Sequence, residues 1–151
     1  FIHAAARKAV KVCGGAAAWG EAQNIKEFLM YKILIVDDAL FMRRLIREAL
    51  ESVGFEIAAE AENGEEAVQA FLKTKPDLTT LDIVMPKMDG IQALTEIRKV
   101  DKDAKVVMIA AVDQRDFMLK AMNLGVSDFI VKPFEDIRVV SAVEKAIGRA
   151  C

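Results

Sequence analysis

Four charged side chains each stand at the end of a short apolar run. Asp37 and Asp38 follow Ile33-Leu34-Ile35-Val36, Asp82 follows Thr79-Thr80-Leu81, and Lys132 follows Phe129-Ile130-Val131. Carboxylates brought within a few ångströms repel one another, and one is driven to take up a proton unless a cation relieves it. An oxygen-only ligand set with few protein contacts suits magnesium, which is usually held by one or two carboxylates plus a phosphate. A carboxylate can also attack phosphorus and form an aspartyl phosphate, while a metal and a lysine neutralise the charge on the transferring oxygens. In such a scheme Asp37 and Asp38 hold the metal, Asp82 attacks and Lys132 pairs with the phosphoryl group.

For these residues to meet, the chain must gather strand ends. From Tyr31 onward short apolar runs alternate with helical patterns. Strands are predicted over 32–36, 55–61, 77–81, 105–110 and 129–131. A first helix carries Phe41, Leu45, Ile46, Ala49, Leu50 and Val53 on one face and stops at Gly54. A second, with Asn63 as N-cap three residues before Glu66, buries Ala67, Val68, Phe71 and Leu72. A third, after Gly90, uses Ile91, Ala93, Leu94 and Ile97, and a fourth uses Phe117, Met118, Ala121, Met122 and Leu124. Ile137, Val140, Ala142, Val143, Ala146 and Ile147 give the face of a fifth. Alternating strands and helices imply a doubly wound α/β fold, a five-stranded parallel sheet with helices on both faces. Ligands of such sheets bind outside the carboxyl ends of the strands, the edge to which all four charged residues map. The sequence defines that edge but not the strand order.

Composition excludes several alternatives. A chain of 151 residues suits one domain, and a net charge of −2 from 21 basic and 23 acidic side chains offers no bulk attraction to nucleic acid or membrane. Two cysteines, Cys13 and Cys151, and a single histidine, His3, have no metal-ligand spacing and fit a reducing, cytoplasmic setting. Residues 1–29 are Ala-rich and hold no acid before Glu21, so they read as a flexible N-terminal extension. The folded domain is expected over 30–151, with a short helix in the extension near 24–29.

Three segments carry a resemblance: Ile33-Leu34-Ile35-Val36-Asp37-Asp38, Leu81-Asp82-Ile83-Val84-Met85-Pro86-Lys87-Met88-Asp89-Gly90 and Asp128-Phe129-Ile130-Val131-Lys132-Pro133-Phe134. Together they resemble the signature segments of response-regulator receiver domains, most nearly the single-domain chemotaxis type. The resemblance implies a flavodoxin-like strand order 2-1-3-4-5. It also implies a two-component signalling switch with no output domain of its own, phosphorylated on Asp82 by a histidine kinase or a small phosphodonor. Magnesium (Mg) would be held by Asp37, Asp38, Asp82 and the backbone carbonyl of Val84. The partner surface would be the fourth helix, fifth strand and fifth helix.

Two positions depart from the family pattern. Ala110 stands where the family carries a Ser or Thr that bonds the phosphoryl oxygen, and Phe129 where a switch aromatic is often Tyr. Val84 and Val112 would border the path of the attacking water without being able to orient it. Ala110 leaves open a receiver-like module that works without phosphorylation. An aspartate-nucleophile phosphatase is a further alternative, but that class resembles a D-x-D pattern on the first strand, whereas Asp37 and Asp38 are adjacent.

Overall fold

The computed structural model describes residues 31–111 and 113–148. The expectations for the N-terminal extension, for Val112 and for both cysteines fall outside them. Among the described residues five strands alternate with five helices. They are β1 (Lys32–Val36), α1 (Leu40–Glu51), β2 (Glu56–Ala61), α2 (Gly64–Thr74), β3 (Leu78–Asp82), α3 (Gly90–Val100), β4 (Val106–Ala111), α4 (Arg115–Asn123), β5 (Asp128–Lys132) and α5 (Asp136–Ile147).

All strands are parallel in the order β2-β1-β3-β4-β5, as expected. Their side chains alternate between two apolar layers. Leu34, Val36, Leu81, Met108 and Ala110 pack on one side, against the buried faces of α2 and α3. Ile33, Ile35, Val107, Ile109 and Ile130 pack on the other, against α1 and α5. Burial on both faces is why these strands read as unbroken apolar runs.

Local chemistry sets several helix starts. Asn63 accepts the Glu66 N–H at 2.9 Å, and Glu65 and Glu66 complement the positive end of α2. Glu66 reaches back to the Glu62 N–H at 3.2 Å. Asp89 and Gln92 close a full capping box on α3, at 2.8 Å and 3.1 Å. α1 lacks a side-chain cap and depends on its apolar face, Ile46, Ala49 and Leu50.

The predicted faces need correction at their margins. Phe41, Leu72, Met122 and Ile137 are exposed, Phe41 and Ile137 by 71% and 72%, and Val139 rather than Ile137 is buried on α5. Each exposed residue lies at an end or flank of its helix, beyond the reach of the sheet.

Candidate functional site

Parallel pairing brings the carboxyl ends of β1, β3 and β5 to one edge, and with them Asp37, Asp38, Asp82 and Lys132. Asp37 follows β1 directly and is buried; its N–H donates to the Ala61 carbonyl at 3.1 Å. Its carboxylate accepts the Ala39 N–H at 2.9 Å and the Lys132 ammonium at 3.0 Å. Lys132 also reaches Asp82 at 3.2 Å. Asp38 is exposed, and one carboxylate oxygen from each of the three acids lies within 4.8 Å of the others.

Asp82 is the last residue of β3, paired with Ile109 of β4 and only 6% exposed. Burial, and then the charge of Asp37, push its carboxyl up to about 6, against the opposing pull of Lys132. Burial alone would lower the Lys132 ammonium, but the bond to Asp37 and the charges of both acids raise it. One lysine therefore faces three acids, and the charge balance is incomplete. The site has the donor set for a hard divalent cation: carboxylate oxygens, closely spaced and under mutual repulsion.

The loop after β3 is drawn tightly against this edge. A Cβ at Gly90 would collide with the Asp82 carbonyl oxygen, and the Gly90 N–H donates to Ile83 at 2.6 Å. A Cβ at Gly64 would collide with the Met88 carbonyl, which accepts the Gly64 N–H at 2.9 Å. Only glycine permits either approach. Val84 lies on that loop with its side chain half-exposed. Ala110, one residue beyond the Asp82 partner Ile109, is fully buried in the same layer against which Phe129 packs.

Two features lie outside the sequence reading. The Asp89–Gln92 capping box has the spacing that could have signalled it. By contrast, nothing in the sequence signals that the Gln114 side chain accepts the Ala111 N–H at 2.9 Å.

Fold and site together define a flavodoxin-like α/β domain with an acidic, lysine-bridged strand-end site. A family model described as the response regulator receiver domain matches residues 33–144. The chain is 48% identical to the chemotaxis protein CheY of Bacillus subtilis over 120 residues, which are 80% of this chain and all of that protein. It is 46% identical to CheY of Thermotoga maritima over 76% of this chain and 95% of that one. Among solved structures, one from the CheX–CheY–BeF3–Mg2+ complex of Borrelia burgdorferi superposes with a TM-score of 0.73 at 38% identity, covering 76% of this chain and 87% of that one. The chain belongs to the family of response regulator receiver domains, homologous to CheY, and is a phosphorylation-dependent signalling switch of the two-component type. Among the described residues no helix is long and apolar enough to cross a membrane.

Proposed function

We propose that Asp82 is the phosphoryl acceptor of a cytoplasmic, magnesium-dependent switch fed by a histidine kinase or a small phosphodonor. The observation that carries this reading is the Lys132 ammonium, seated between Asp37 and Asp82 at 3.0 Å and 3.2 Å. A carboxylate oxygen of Asp82 attacks phosphorus, the bond from phosphorus to the donor breaks, and the donor leaves with the electron pair. Lys132 stays beside the new acyl phosphate and pairs with its oxygens. Asp37, fixed by Ala39 and Lys132, keeps its carboxylate aimed into the crevice. Asp37, Asp38, Asp82 and the Val84 carbonyl would hold magnesium, which when bound supplies further neutralisation of the phosphoryl charge.

The output partner binds the face made by α4, β5 and α5. That face carries exposed apolar side chains: Leu119 and Met122 on α4, Val131 on β5 and Ile137 on α5. Incubation with acetyl phosphate and magnesium, followed by intact-mass measurement, tests the reading. A lasting gain of one phosphoryl group is expected. Consumption of acetyl phosphate without accumulation would indicate a phosphatase, and no change would indicate a module that works without phosphorylation.

A further inference from the structure

Resting on the reading of Asp82 above, we infer that Gln114 is a positioning residue. Its side-chain amide holds the Ala111 N–H until a phosphoryl oxygen displaces it, and this exchange couples the site to α4.

The direction of the Ala111 N–H follows from the sheet. The Lys105 carbonyl accepts the Thr79 N–H at 3.0 Å, so the polar groups of Lys105 face β3. Alternation along the strand turns those of Val107, Ile109 and Ala111 the same way. Asp82 pairs with Ile109, and the next rung would run from the Ala111 N–H to the Ile83 carbonyl. That carbonyl is already taken by Gly90 at 2.6 Å. Ala111 also stands opposite Lys132 in the β4–β5 register, level with the residue that touches Asp37 and Asp82. A backbone donor is thus left on the β3 side of β4 at the mouth of the crevice, and Gln114 Oε1 occupies it at 2.9 Å.

Gln114 is the N-cap residue of α4, yet its side chain caps nothing on that helix. Its N–H instead donates back to the Ala111 carbonyl at 3.1 Å, closing the β4–α4 connection in both directions. The far end of α4 is clamped by Arg98, which donates to Leu124 and Gly125 at 2.8 Å and 2.9 Å. Among the described α4 residues only Ala121 is fully buried, with Phe117 packed partly against the same layer, so polar contacts at the two ends add to the positioning of the helix. Of the two, the Gln114 contact is the one within reach of the site. A phosphoryl oxygen is a charged acceptor and forms a hydrogen bond roughly twice as strong as that of a neutral amide oxygen. Since Ala110 has no hydroxyl to offer, the Ala111 N–H is the β3-facing donor of β4 that lies beyond the paired rungs, one rung past the Asp82 partner Ile109.

Titration with beryllofluoride and magnesium tests the exchange. Gln114→Ala removes the competitor and should tighten beryllofluoride binding about fivefold. Gln114→Glu supplies a charged competitor and should weaken it by a similar factor. A loop-closing role alone would move both variants in the same direction, and that outcome, or no change in either, overturns the inference. In the unmodified protein the Ala111 amide and Gln114 side-chain amide resonances should both shift on binding; unmoved resonances overturn it as well. Undiminished beryllofluoride binding to Asp82→Asn would overturn the site reading along with it. Dependence on Asp82 with insensitivity to Gln114 overturns this inference alone.

Discussion

Two clusters of charged side chains lie a short distance apart, one with its charges matched and the other with acid in excess. Between α1 and β2, Glu60 is held by Arg43 at 2.9 Å and by Arg47 at 2.7 Å, and Arg47 also reaches Glu51 at 3.2 Å. Burial would raise the Glu60 carboxyl, but the bonds and charges of the two arginines more than offset it and bring it below its ordinary value. In the crevice the acids are in excess: of the three, Lys132 reaches Asp37 and Asp82, and Asp82 is held up at about 6. Arg43 joins the two clusters, since it also donates to the Asp37 carbonyl at 2.7 Å. The comparison separates charge arranged for stability from charge left in surplus, and the surplus is what a cation and a phosphoryl group can use.

The largest contrast is chemical. Asp82→Asn should abolish phosphate incorporation, whereas Glu60→Gln should leave it intact, as read by intact mass after acetyl phosphate treatment. Loss in both variants would mean that the α1–β2 cluster belongs to the site.

Stability should move in opposite directions. In metal-free protein near pH 7.5, Asp82→Asn removes a poorly compensated charge and should stabilise the fold by about 2 kcal/mol, raising Tm by several degrees. Glu60→Gln should lose about 1 kcal/mol. The pH dependence has a definite sign. Between about 4 and about 6 the folded state binds more protons at Asp82 than the unfolded chain does, so this group makes stability fall as pH rises through that window. Glu60, whose folded value is depressed, contributes stability that is lost as pH falls through its folded value, below the ordinary 4.5. Equal slopes for both variants in thermal melts would remove the distinction.

Smaller effects test how the surplus is used. Restoring a hydroxyl with Ala110→Ser adds a charge-assisted bond to the phosphorylated state and should raise the ratio of partner affinities, phosphorylated over unphosphorylated, about tenfold. An unchanged ratio would place position 110 away from the phosphoryl group. Val84→Asn gives the exposed loop a group able to orient water, so phosphate loss, followed by intact mass over time, should accelerate by a few-fold. An unchanged decay rate would remove Val84 from the path of the water.

Much of the fold was legible because each strand is buried on both faces and each helix is amphipathic. The bounds of β1 coincide with its apolar run, while β3 and β4 lie one residue further along than the runs suggest. The shift carries Asp82 onto the strand itself. Asp37, Asp38, Asp82 and Lys132 could be grouped from sequence because parallel pairing leaves no other place for their strand ends to go. The exposure of Met122 and Ile137 could not, since periodicity predicts a face but not whether another layer covers it. The Gln114 contact was equally hidden, being made by a neutral side chain that belongs to no capping pattern.

The central claim is that Asp82, and not one of its neighbours, carries the phosphoryl group. Borohydride reduction of the acetyl phosphate-treated protein converts an aspartyl phosphate to homoserine, and peptide mass mapping then locates it. Homoserine at position 82 is the expected result. Homoserine at Asp37 or Asp38, or at none of the three, would contradict it.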